Sequence, residues 1–154
     1  MHVHLSQFEN FKKFLSKNIL GIDFGTKVIG LATFCPGNDP FPTPYGRVIS
    51  QDRKSDISEI LKIVSLENIE LIVIGLPKFL DGKETKMSKI VEKFGKDLSK
   101  NLPDMEITYQ EETLSTKEAE QRMLNSPRYN FKIDPKQIDA VAASIILEEF
   151  ICAL

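Results

Sequence analysis

Apolar positions along this chain fall into short unbroken blocks and into longer stretches where they recur every three or four residues. Blocks at 18–24, 28–34 and 45–50 predict three strands. A Gly-Thr turn joins the first two, and a loop with prolines at 36, 40, 42 and 44 joins the second to the third, so the three form an antiparallel meander. The pattern then changes. Ile57, Ile60, Leu61 and Val64 predict a helix over 55–66, "ELIVIGLP" a buried strand at 70–75, residues 84–101 a second helix and "MEITYQEE" a strand at 105–112. Strands alternating with helices of this length pair in parallel through crossovers.

Two further helices have sequence start signals. Ser115 and Glu118 form a capping box in "STKE". In "IDPKQI", Asp134 reads as an N-cap, Pro135 as the first helical position and Gln137 as the box partner, with Ile133 stapled to Ile138. The last helix is therefore predicted to begin near 135, with Asp139 in its second turn and the small Ala142 and Ala143 letting it approach a sheet. Ahead of the first strand, Phe8, Phe11, Phe14 and Leu15 recur at near-helical spacing among Lys12, Lys13 and Lys17. This amphipathic extension, 1–17, is expected to pack on the domain or on a partner chain, where it would supply a homodimer contact. Residues 18–154 read as one domain of the α/β class: a mixed five-stranded sheet, a three-strand antiparallel meander plus two parallel strands, flanked by helices.

Composition narrows the function classes. With 154 residues, 42% apolar and 27% charged, the chain makes one core of its own and is too short for a two-lobed enzyme. Cys35 and Cys152 follow no metal-ligand spacing and make no disulfide framework, and neither a long apolar run nor a signal-peptide pattern occurs. These features lead to the expectation of a cytoplasmic protein without a membrane partner. A formal charge of −2 gives no global attraction for nucleic acid, so any such binding must come from local patches.

The chemistry starts at "NILGIDFGTKVIGLATF", where Asp23 interrupts an apolar strand. An unpaired buried carboxylate costs on the order of several kcal/mol, so Asp23 requires a cation, a metal or a hydrogen-bond network. In an open α/β sheet the ligand site lies beyond the carboxyl ends of the parallel strands. Asp23 ends the first strand, Glu111 and Glu112 end the fifth, and Asp139 joins them if the last helix packs across the sheet. Three such carboxylates suit a pair of hard divalent ions that bind phosphate and activate water. Gly21 and Gly25 flank Asp23 on alternate positions, where a side chain would crowd a metal or phosphate.

Four segments in order, "ILGIDFGTKVIGLA", "VIGLPKFLDG", "EETLSTKEAE" and "IDAVAASIILEEF", resemble the YqgF/RuvX family of the ribonuclease H-like fold over about residues 18 to 151. The resemblance implies a metal-dependent nuclease acting in 5′-end processing of the small-subunit (16S) ribosomal RNA precursor, or a Holliday junction resolvase. It also implies Asp23, Glu112 and Asp139 as catalytic and metal-binding residues, two Mg²⁺ or Mn²⁺ ions, and a structured RNA precursor or branched DNA as partner. Strand alternation leaves Glu111 and Glu112 open; the "LST" that follows selects Glu112. Thr113 stands where the family usually has an arginine, so an expected basic contact to phosphate is missing.

For backbone binding, Lys27 follows the first turn. Lys86, Lys89, Lys93, Lys96 and Lys100 make one stripe on the 84–101 helix, preceded by Lys78 and Lys83. No aromatic residue interleaves with that stripe, so it is read as a backbone track or a solvated face and not as a base-stacking surface. "GIDFGT" also looks like the first phosphate motif of actin-like ATPases and sugar kinases, which close two lobes over a nucleotide; ATP-induced thermal stabilisation would mark that reading. A catalytically silent nucleic-acid-binding module is the other alternative, marked by binding that Asp23→Asn leaves unchanged.

Overall fold

The computed structural model describes residues 4–77, 85–112 and 115–153, with backbone only at 115 and 116. Lys78, Lys83 and Thr113 lie outside the described residues. The strands are β1 (Ile19–Phe24), β2 (Val28–Phe34), β3 (Thr43–Ile49), β4 (Leu71–Pro77) and β5 (Glu106–Glu112), ordered β3-β2-β1-β4-β5 in one sheet. β1, β2 and β3 pair antiparallel, and β4 pairs parallel to both β1 and β5. The meander with two parallel strands is therefore as the hydrophobic blocks predicted. A bulge in the β2–β3 ladder falls beside Pro44, which β3 tolerates because it is an edge strand.

The helices are α1 (Glu9–Lys13), α2 (Arg53–Leu66), α3 (Lys86–Asn101), α4 (Ser115–Leu124) and α5 (Ile138–Cys152). Because strand side chains alternate between faces, β1, β2 and β4 each feed two cores. Leu20, Ile22, Ile29, Leu31, Ile72 and Ile74 pack with Ile57 and Ile60 of α2 and with Val91, Phe94 and Leu98 of α3. On the opposite face Ile19, Ala32, Phe34, Leu71 and Val73 pack with Ala143, Ile146, Leu147 and Phe150 of α5. Beyond α5, Ala119 and Met123 of α4 cover Val141, Ala142 and Ile145. α5 is thus apolar on nearly every side because it is enclosed between the sheet and another layer, as a fully buried helix must be.

The N-terminal aromatic residues join the α5 side. Phe11 meets Phe34 with ring centroids 6.2 Å apart, Phe14 meets Phe150 at 5.5 Å, and Asn10 Nδ2 donates to the Phe150 carbonyl at 2.8 Å. Their apolar stripe is used within the chain, on the domain. Among the described residues no helix is long and apolar enough to cross a membrane.

The last helix begins at Ile138, three residues later than the capping signal suggested. Asp134 does cap, but it caps a turn: its carboxylate accepts from the Lys136 amide at 2.9 Å and from Gln137 Nε2 at 2.7 Å. Asp139 consequently sits in the first turn of α5, not the second.

Candidate active site

β1 places Asp23 at its carboxyl end, directly opposite Gly30 of β2, which in turn pairs with Arg47 of β3. Directly opposed residues of neighbouring strands share a face, so Asp23, Gly30 and Arg47 form a row across the sheet. The row lies on the α5 side, two residues along β1 from Gly21, whose Cα a side chain could leave only through Leu147 of α5. Gly30 decides what packs there. A Cβ on it would fall 2.0 Å from the Asp139 carbonyl oxygen, so the first turn of α5 rests on bare backbone and hangs Asp139 over Asp23.

Glu112 comes to the same place from β5. It pairs with Pro77, Gln110 pairs with Gly75, and Glu111 pairs with Leu76, which belongs to the α2/α3 core. Glu111 and Glu112 therefore point to opposite faces, and Glu112 is the one on the α5 side. Gly75 leaves space for it: a Cβ there would meet Glu112 Oε2 at 3.2 Å and Ile146 Cδ1 at 2.4 Å.

The electrostatics at Asp23 agree with this placement. The Asp23 residue retains some solvent exposure, but its carboxyl is enclosed by protein. Loss of water pushes its pKa up to about 7, and the Glu112 and Asp139 charges add to the rise. Burial also raises Asp139, against which the Arg47 guanidinium and a backbone hydrogen bond act. Glu149, further along α5, is raised by burial and then by Glu112, Glu118 and Glu148, while Arg122 opposes. Arg122 donates to Glu118 at 3.0 Å and to Glu148 at 2.6 Å, so its charge is spent on those two.

Hard oxygen donors, a carboxyl deprived of water and mutual repulsion all describe a site that a divalent cation would relieve. Among the described residues, no three His, Cys, Asp or Glu side chains are gathered into a ready cluster for a metal ion. The residues present fit a divalent ion in donor chemistry.

Lys27 is exposed in the β1–β2 turn, at the Asp23 end of the sheet, where its carbonyl accepts from the Ser50 amide at 2.9 Å. Lys86, Lys89, Lys93, Lys96 and Lys100 are all exposed on α3, which packs on the face opposite to the carboxylates. The stripe starts at the carboxyl end of β4 and runs about 21 Å away from it. The fold thus brings Lys27 and the head of the stripe to the acidic end, and leaves the remainder of the stripe behind the sheet. Gly21 and Gly25 do not line the site by themselves: a Cβ at Gly21 would strike Leu147, and one at Gly25 the Val28 carbonyl.

This chain matches the family model described as RuvX: Holliday junction resolvase, over residues 17–153. The chain belongs to the RuvX family. Among curated relatives of this RuvX chain, a protein of Maridesulfovibrio salexigens named "Putative pre-16S rRNA nuclease" is 37% identical over 133 residues, covering 86% of this chain and 96% of the relative. One of the same name from Malacoplasma penetrans is 36% identical over 146 residues, covering 90% and 96%. Among solved structures, T. thermophilus RuvC in complex with Holliday junction substrate superposes with a TM-score of 0.56 at 12% identity, covering 87% of this chain and 94% of that one. The fold is ribonuclease H-like, as the family resemblance implied, and its mixed five-stranded sheet is the one the order of strands and helices predicted.

Three site features escaped the sequence reading: Gly30, Gly75 and Arg47. The glycines carried a usable signal, because an isolated glycine inside an apolar strand marks close approach of another backbone. Gly30→Ala is expected to push the first turn of α5 off the sheet, costing on the order of 1–3 kcal/mol of stability and displacing Asp139. Thermal melting and a cleavage assay check it; wild-type values in both would mean that Gly30 does not set the position of α5.

Proposed function

We propose that this RuvX-family chain is a nuclease that hydrolyses phosphodiester bonds of RNA, acting in 5′-end processing of the pre-16S ribosomal RNA. The observation that carries this reading is the placement of Asp23, Glu112 and Asp139 on the α5 side of the sheet, at the carboxyl ends of β1 and β5, near enough for the charges of Glu112 and Asp139 to act on Asp23. The names of the curated relatives support RNA as the substrate.

Asp23, Glu112 and Asp139 would hold two Mg²⁺ or Mn²⁺ ions. Such ions, when bound, neutralise the phosphate and supply Lewis-acid activation of water for in-line displacement. The chain's residues do the rest. Lys27, on the turn beside Asp23, holds a backbone phosphate without reading sequence, and Lys86 at the head of α3 approaches from the other side. Burial by α5 keeps bulk water from the Asp23 carboxyl, which strengthens every charge interaction made there. The Arg47 guanidinium acts on Asp139 through its charge and favours the ionised carboxylate there.

Cleavage of four-way DNA is the second reading, favoured by the description of the family model. A junction offers two equivalent strands, which suits a symmetric dimer, whereas trimming one RNA end demands no symmetry. The test is a side-by-side assay of the full chain on a 5′-extended small-subunit ribosomal RNA precursor and on a synthetic four-way DNA junction with Mg²⁺ or Mn²⁺. Cutting of the RNA alone is expected. Cutting of the junction alone, by a dimer in sedimentation, would establish the second reading, and binding of either without cutting would indicate a silent module.

A further inference from the structure

Between α4 and α5 the chain makes a compact excursion, and it presents an aromatic side chain to water at a conformational cost. Asn130 and Phe131 both adopt left-handed backbone, with φ of 55° and 57°, and neither is glycine. A bulky residue there is an outlier that its surroundings must hold in place. Here the holding is done by backbone: the Asn130 amide donates to Pro127 O at 3.0 Å, Phe131 to Ser126 O at 3.0 Å and Lys132 to Tyr129 O at 3.1 Å. Nothing is gained by burial, since Phe131 is 59% exposed.

The residues around Phe131 are basic. Arg128, Lys132 and Lys136 are exposed, and none of them, nor Arg47, enters a salt bridge among the described residues. Arg128 lies over the Tyr129 ring at 5.9 Å, which stiffens the approach to Phe131. Phe131 is three residues from Asp134, hence within about 11 Å of it along the chain. Arg47 stands in the cross-sheet row with Gly30 and Asp23, and its charge acts on both Asp134 and Asp139. Basic residues interleaved with aromatic ones are the composition that binds unpaired strands, and the α3 stripe lacks it.

We infer that the α4–α5 connection is the strand-docking edge of the site. Phe131 stacks an unpaired base of an RNA strand, and Arg47, Lys132 and Lys136 carry that strand's backbone toward Asp139. The choice of RNA rests on the nuclease reading above; the stacking platform and its charge do not. The chain would thereby select RNA with an unpaired nucleotide beside the cut over continuous duplex.

Binding in EDTA separates this inference from cleavage. The probes are a single-stranded RNA 12-mer bearing 2-aminopurine, the same sequence as DNA, and the fully paired RNA duplex, titrated with full-length wild type, Phe131→Ala, Phe131→Tyr and Arg47→Ala. Phe131→Ala is expected to bind the single-stranded RNA about tenfold more weakly and to lose 2-aminopurine quenching, with duplex affinity within about twofold of wild type. Phe131→Tyr restores both, and Arg47→Ala weakens all three probes and flattens the salt dependence. Melting of Phe131→Ala at the wild-type temperature or above shows that the effect is not unfolding. Wild-type binding and quenching by Phe131→Ala, or equal losses on single strand and duplex, would overturn the platform, and tighter binding of the DNA 12-mer would overturn the choice of RNA. The platform result with a wild type that cuts nothing in Mn²⁺ would sustain this inference and defeat the nuclease reading.

Discussion

Asp23→Asn is expected to make the metal-free protein more stable at pH 8 while abolishing its cleavage activity. The stability gain follows from the sign of the shift. The carboxyl is pushed from 3.8 up to about 7 in the folded chain, so the native state holds its proton more tightly than the unfolded one. The stability contributed by that proton is fully present below about pH 4 and is lost as pH rises through 7. Above pH 7 the ionised carboxylate opposes folding by up to about 4 kcal/mol, and asparagine removes the opposition. For a domain of this size that corresponds to a rise in melting temperature on the order of 10 °C. Melting curves of both proteins in EDTA from pH 4 to 9 check it: the gap opens between pH 4 and 7 and stays level above. A gap independent of pH would mean that the enclosure of Asp23 is not what strains it. A residue that costs stability at working pH is retained for what it binds, and loss of cleavage on the order of 10³-fold or more is the expected counterpart.

Glu112→Gln and Glu111→Gln are expected to diverge. They are adjacent in sequence and both end β5, yet the ladder to β4 turns Glu112 toward Asp23 and Glu111 toward the Leu76 side. Glu112→Gln removes a carboxylate proposed to hold metal and one of the two like charges acting on Asp23, so cleavage is expected to fall on the order of 10²–10³-fold and the pKa of Asp23 to fall toward its ordinary value. Glu111 is exposed, and its replacement leaves cleavage within about twofold of wild type. Parallel cleavage assays of the two variants decide the matter; equal losses would mean that strand orientation does not assign the role.

How far the sequence could be read differs among these residues. The Asp23 strand and its turn were legible because a lone carboxylate in an apolar run has few physical explanations. Strand period alone could not separate Glu111 from Glu112, since what separates them is the register of β5 on β4, a contact between segments distant in the chain. The "IDPKQI" signal located a capping residue correctly but not the helix it would cap. Gln137 Nε2 donates to the Asp134 carboxylate, where a box partner would accept from the Asp134 backbone amide, and the helix begins only at Ile138. The α3 lysines show the complementary limit: helical spacing defines a stripe but not the side of the sheet to which the helix docks. Gly30, Gly75 and Arg47 matter through what packs beside them, and packing partners are not written in local pattern.

Cleavage of the 5′-extended small-subunit ribosomal RNA precursor by wild type and Asp23→Asn, each with Mn²⁺ and each with excess EDTA, tests the central claim most directly. The account predicts cutting in one of the four reactions, wild type with Mn²⁺. Cutting by wild type in excess EDTA, or by Asp23→Asn at the wild-type rate, would contradict it.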